Sequence, residues 1–130
     1  MIDYIYNGYI VIGYIAQGGY MSKNNVVDSE QLTDSMYYIL LALVKERHGY
    51  AIMKFVEEMT DKNVVIGPGT LYTLLKKLHK TNWISQTSDD RTKTYKITEE
   101  GFVILRQEYK RRRHMVEDGR RILEEEGYEE

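Results

Sequence analysis

From Met36 to Val44 the chain reads Met-Tyr-Tyr-Ile-Leu-Leu-Ala-Leu-Val, without one polar interruption. Thr33, Asp34 and Ser35 stand just ahead of it and are residue types that cap helix N-termini. The pattern predicts a helix from about Thr33 to Arg47. A helix that is apolar all round must be buried on more than one side. In a chain of 130 residues that leaves two arrangements. Either this is the central helix of a monomer, or a second copy of the chain supplies one of the covering surfaces.

The composition of the whole chain is that of one soluble domain with appendages: 42% apolar and 29% charged residues. A formal charge of −2 and a pI near 6.0 argue against a globally basic nucleic-acid binder but leave local patches open. Without cysteine there is no disulfide framework, no thiolate metal site and no cysteine nucleophile, which fits a reducing cytoplasm. Residues 1–20 contain no Lys or Arg, so they lack the basic start of a signal peptide. The apolar run from Tyr4 to Ala16 is broken by Asn7, Gly8 and Gly13 and is shorter than the roughly 20 residues a spanning helix needs. No membrane association is expected.

Residues 1–20 hold five of the twelve tyrosines and four of the ten glycines, with Asp3 as their only charge. Asn7-Gly8 between apolar residues is a two-residue hairpin signal. A second reading concerns the gene. Gln17-Gly18-Gly19-Tyr20-Met21 can be encoded by a string containing AAGGAGG, a bacterial ribosome-binding sequence, just upstream of an ATG. On that reading Met21 is the native start and the preceding residues are translated leader. Residues 1–21 are set apart as an N-terminal extension, either disordered or a non-native leader, and the polar stretch 22–31 as a flexible lead-in.

After the first helix, His48-Gly49-Tyr50 opens a second, running to about Met59, with Ile52, Phe55, Val56 and Met59 at i, i+3, i+4, i+7. Thr60 to Ile66 is a connector with a short strand or buried turn at Val64-Val65-Ile66. The chain's single proline, Pro68, then sits at a first helical position behind Gly67. The third helix carries Leu71, Leu74, Leu75 and Leu78 on one face and Gly69, Thr73, Lys76, Lys77 and Lys80 on the other. It ends near Thr81, with Asn82 able to take the left-handed closing conformation. Trp83–Ser88 and Lys93–Ile97 around Asp89-Asp90-Arg91-Thr92 read as a β-hairpin, with Ile84, Tyr95 and Ile97 facing the core. Thr98-Glu99-Glu100 opens a last helix to about residue 125, followed by a frayed tail, 126–130. Its apolar positions Phe102, Leu105, Tyr109, Val116 and Leu123 form a heptad seam with two defects, Arg112 and Gly119. Lys110 to His114 is a solvated basic turn, with an extra phosphate contact as the alternative.

Three helices and a hairpin in this order make a winged helix-turn-helix over residues 32–98, in a mainly α fold with a C-terminal helix over 99–125. In that arrangement the third helix enters the major groove and the hairpin lies along the backbone or minor groove. The charge agrees: Lys76, Lys77, Lys80, Arg91, Lys93 and Lys96 stand against Asp89 and Asp90, a local balance of +4, so the rest of the chain carries −6. The expected DNA-facing set is Thr70, Tyr72, Thr73, Lys76, Lys77 and Lys80 on the third helix, with Arg91 and Lys93 on the wing. His48 and Tyr50 are expected to pin the second helix against the backbone or to pack within the protein.

His48-Gly49-Tyr50, Pro68-Gly69-Thr70-Leu71-Tyr72 and Tyr95-Lys96-Ile97-Thr98-Glu99-Glu100-Gly101 together resemble the PadR family of bacterial transcriptional regulators, over about Leu32 to Leu105. Asn82 stands where that family usually has glycine. The resemblance implies homodimers on a palindromic operator in double-stranded DNA, acting mainly as repressors and often released by a small, frequently aromatic effector. The single helix after the wing is similar to the short-C-terminus branch, where it makes the dimer with the first helix. The implied interface comprises Tyr37, Leu40, Leu41, Phe102, Leu105, Tyr109, Val116 and Leu123. An effector pocket lined by Tyr37, Tyr38, Phe102 or Tyr109 is the matching expectation, with core packing as its alternative.

Enzyme chemistry finds no support. His48, His79 and His114 sit on separate elements without metal-site spacing, and there is no nucleophile elbow, P-loop or dinucleotide fingerprint. No cofactor and no metal are expected. The competing reading from another class is a winged helix that binds protein and has lost DNA, against which the lysine-rich face of the third helix argues.

Overall fold

The computed structural model describes residues 32–88 and 91–128. The expectations for the N-terminal segment, for the Asp89-Asp90 turn and for residues 129–130 lie outside the described residues.

Helix α1 spans Asp34–Ala42. Thr33 caps it, its hydroxyl accepting from the Met36 N–H at 3.2 Å, a device contributing about 0.5–2 kcal/mol. The helix is shorter than the apolar run predicts, because its terminal carbonyls find partners elsewhere. The Arg47 Nε–H donates to the Ala42 carbonyl at 2.7 Å, and the Ile97 N–H donates to the Leu43 carbonyl at 2.8 Å. The Arg47 guanidinium also lies 4.1 Å from the centre of the Phe55 ring. Arg47 therefore belongs not to the helix but to a short strand, β1 (Arg47–His48).

Helix α2 spans Gly49–Met59 and is capped by His48, whose Nδ1 accepts from the Ala51 N–H at 3.3 Å. At its end the Asp61 N–H reaches the Glu58 carbonyl and the Lys62 N–H the Glu57 carbonyl, with Asp61 and Lys62 at φ 54° and 66°. This double bond pattern closes the helix. Val64–Ile66 form no strand. The Thr60 hydroxyl holds the connector, donating to the Val56 carbonyl at 2.8 Å and accepting from the Val64 N–H at 3.1 Å, while Ile66 is buried and Val65 exposed.

Helix α3 spans Pro68–Lys80, with Gly67 as N-cap and Pro68 at its first position. It ends as α2 does, with Asn82 at φ 69°, its N–H bonded to the His79 carbonyl and the Trp83 N–H to the Leu78 carbonyl. Asparagine thus performs the turn for which glycine is the commoner residue. Strands β2 (Ile84–Gln86) and β3 (Thr94–Ile97) form the expected hairpin. Among the described residues the sheet has three strands, not two: β1 pairs antiparallel with β3, Arg47 opposite Tyr95 and His48 opposite Thr94, giving the order β1-β3-β2.

Helix α4 spans Glu99–Glu125, about 40 Å at 1.5 Å per residue. Thr98 caps it by accepting from the Gly101 N–H at 2.9 Å, and its own hydroxyl donates to the Asn82 carbonyl at 2.8 Å. A Cβ on Gly101 would collide with the Trp83 carbonyl oxygen, so the close approach of α4 to the end of α3 requires glycine there. Residues 126–128 close α4: the Gly127 N–H meets the Glu124 carbonyl and the Tyr128 N–H the Leu123 carbonyl, with Gly127 at φ 86°.

The fully buried core draws on α1 and the Leu43 that closes it, α2, α3 and β2, through Ile39, Leu40, Leu43, Ile52, Val56, Leu71, Leu75, Leu78 and Ile84, and Leu105 of α4 joins it. Of the expected inward hairpin residues Ile84 is fully buried, while Tyr95 and Ile97 are half-buried.

Candidate nucleic-acid interface

Burying Leu71, Leu75 and Leu78 dictates which side of α3 faces out. Gly69, Thr70, Thr73, Lys76, Lys77 and Lys80 are all exposed, on the side away from the leucines. The lysine side chains take part in no ion pair among the described residues. Such a face presents cations and hydroxyls on a helix whose other side is anchored, the arrangement that suits a polyphosphate. Arg91 and Lys93 at the wing, and Lys96 on β3, are exposed as well.

The base of the wing is tied down. The Thr87 hydroxyl donates to Glu46 Oε2 at 2.8 Å, and Thr87 and Thr94 share a 2.7 Å hydroxyl bond. Hydrogen bonding, that from Thr87 foremost, holds the Glu46 carboxyl below its ordinary range, with Lys96 adding to the effect. The wing is thus fastened to the segment between α1 and β1, which makes its pose a property of the whole domain.

His48 and Tyr50 separate in role. His48 is the cap of α2, so its Nδ1 is occupied by the Ala51 N–H. Tyr50 is exposed and lines a groove of about 650 Å³ with Met53, Lys54, Val65 and Pro68, beside the head of α3. Tyr72 is neither buried nor free: its phenol lies over Gly49, where a Cβ would collide with the Tyr72 hydroxyl. Burial pushes the Tyr95 hydroxyl up, and nearby Tyr72 adds to the shift. These contacts join the His48-Gly49-Tyr50 and Pro68–Tyr72 motifs in space, which their separation in the chain does not reveal.

The expected dimer residues fall into three groups: Leu40 and Leu105 are buried, Tyr37 and Leu41 are half-buried, and Phe102, Tyr109, Val116 and Leu123 are exposed. Arg112, a defect in the seam by pattern, ties α4 to α1: it bonds Asp34 Oδ1 at 2.8 Å and Glu108 Oε1 at 3.1 Å, with its guanidinium 4.5 Å from the Tyr37 ring centre. Glu108 is buried and is also paired with Arg111. Of the four expected pocket residues, Tyr37 and Tyr38 meet edge-to-face at 6.0 Å. Burial pushes the Tyr37 hydroxyl up, against the pull of Arg112. The groove beside α3 is lined by none of the four. Pattern does not reveal the roles of Arg47, Gly49, Gly101 and Arg112; only the motifs around Gly49 and Gly101 signal that something holds them.

No group of three or more His, Asp or Glu capable of holding a metal occurs among the described residues, and no described helix is long and apolar enough to cross a membrane.

Comparison with known proteins agrees with this geometry. The chain is similar to RosR of H. salinarum, at 26% identity over 76% of this chain and 81% of that one, with a TM-score of 0.51. A transcriptional regulator from Clostridium thermocellum shares the fold at 22% identity, over 78% and 97% of the two chains, with a TM-score of 0.55. A PadR family transcriptional regulator from Eggerthella lenta shares it at 24% identity, over 75% and 84%, also with a TM-score of 0.55. No curated protein sequence matches the chain. The model of the transcriptional regulator PadR-like family matches residues 39–107, just over half of the chain and the whole of the region from the core of α1 through the wing into α4. The protein is therefore a member of the PadR-like family of transcriptional regulators, DNA-binding proteins rather than enzymes.

Proposed function

We propose that this family member is a homodimeric repressor that holds a palindromic operator through two copies of α3 and is released by a small, aromatic effector. The observation that carries the DNA-contact assignment is the polarity of α3, with its leucine face buried and its lysines exposed and without ion pairs among the described residues. Thr70, Thr73, Lys76, Lys77 and Lys80 then meet base edges and phosphates, while Arg91 and Lys93 meet the backbone. Residues 32–98 act as the DNA-binding unit and 99–125 as the dimerisation helix. The exposure of Phe102, Tyr109, Val116 and Leu123 supports that division, since a seam of this kind is stable only when another helix covers it. Effector release would act at the junction of α1 and α4 around Tyr37, Tyr38, Phe102 and Tyr109. The protein works in the cytoplasm, where its operator is.

Footprinting of the purified protein on its own upstream region, repeated with a panel of aromatic compounds, tests this reading. A symmetric protected site that disappears with one of the compounds is the expected result. Absence of any protected site would favour a protein-binding module instead.

A further inference from the structure

Gly49 has no positive-φ requirement, so its lack of a side chain is a matter of space. The space is taken by Tyr72. A Cβ at position 49 would overlap the phenol oxygen of Tyr72 and crowd two of its ring carbons, one at 2.9 Å and the next at 3.1 Å. Tyr72 is nevertheless 53% exposed, so its ring is held on one side only. On α3 it stands one turn before Lys76, at the border between the leucine stripe and the cationic face. Gly49 in turn follows His48, which both caps α2 and pairs with Thr94 in the sheet.

We propose that Tyr72 is a positioning residue for recognition: its phenol seats on Gly49 and sets the first turns of α3, with Thr73 and Lys76, at a fixed pose relative to α2 and the wing. This rests on the reading of α3 as the DNA-contacting helix. The seating joins three parts of the surface that must meet one duplex together: the head of α2, the head of α3 and, through the His48–Thr94 pairing, the wing. A displaced Tyr72 has open solvent to move into. A side chain at position 49 therefore disturbs the pose of α3 at little cost to the fold, which separates positioning from simple structural support.

The experiment is a double-mutant cycle on the full chain, with Gly49→Ala, Tyr72→Ala, the two combined, and Tyr72→Phe. Each variant is read by thermal melting and by titration against a duplex from its own upstream region and an unrelated duplex of equal length. Gly49→Ala and Tyr72→Ala are each expected to weaken upstream-duplex binding about tenfold, with little change on the unrelated duplex and melting shifts of only about 2–3 °C. The combined variant is expected to be no worse than either single one, because both abolish the same seating. Tyr72→Phe, which keeps the ring, is expected to retain most of the affinity.

Multiplying losses in the combined variant, or a Gly49→Ala protein that binds as the wild type does, would overturn the positioning role alone. Losses that track a large fall in melting temperature would overturn it too, leaving only structural support. A wild-type chain without salt-dependent affinity for any duplex would overturn the DNA reading together with it.

Discussion

Helices α3 and α4 carry the same apolar spacing and end in opposite situations. In α3, Leu71, Leu75 and Leu78 are 0–2% exposed, covered by the protomer itself. In α4, Phe102, Tyr109, Val116 and Leu123 are 43–67% exposed, and only Gly101, Leu105 and Glu108 are buried. The difference shows that periodicity identifies a face but not what covers it. For α3 the informative side is the polar one left outside. For α4 it is the apolar one, which the protomer leaves uncovered beyond the Arg112–Asp34 tie. The ion pairs of the second half of α4 stay within the helix itself, Arg120 with Glu117 and Glu124, and Arg121 with Asp118. Open to solvent on both partners, such pairs contribute little to stability.

Substitutions in each stripe separate the roles of the two helices. Leu75→Ala removes an interior side chain from α3 and is expected to cost about 2–5 kcal/mol, read from denaturant or thermal unfolding. An effect below about 0.5 kcal/mol would mean that the leucine face is not the anchored one. Val116→Asp touches nothing buried in the protomer, so its expected effect is on assembly: sedimentation should show a shift from dimer to monomer, with the core of residues 33–112 still folded. Unchanged assembly would contradict the proposed dimer seam on α4. The smallest expected effect is at the wing. The folded-state pKa of Glu46 lies below its ordinary value of 4.5, so its bond to Thr87 favours the folded wing above that value and gives way as pH falls through the lower one. Thr87→Val should raise the Glu46 pKa toward its ordinary value, as followed by carboxyl NMR titration. No movement would deny the bond its role.

The sequence makes local devices readable and leaves the long-range ones hidden. Thr33, Pro68, Asn82 and Thr98 act through neighbours within a few residues, and each sits where its chemistry predicts. The end of α1 is not readable in this way. The groups that take its last carbonyls are Arg47 and the backbone of Ile97, the latter 54 positions beyond Leu43. For the same reason pattern predicts a two-stranded wing and not β1. Arg112 looks like a flaw in the seam because its partner Asp34 lies on another helix. At the candidate site the exposed lysine face follows from the spacing of the leucines. The seating of Tyr72 on Gly49 does not, since pattern shows two motifs but not that they touch.

Titration of the full chain with a duplex from its own upstream region across salt concentrations tests whether the cationic face of α3 meets DNA while its leucine face holds the fold. Wild-type affinity should fall linearly on a log–log plot. Lys76→Ala and Lys80→Ala should each lower the slope by about 0.9 for every phosphate no longer neutralised, with melting temperature and assembly unchanged. Affinity that ignores salt, or a lysine variant that unfolds or dissociates the protein, would contradict the assignment of the two faces.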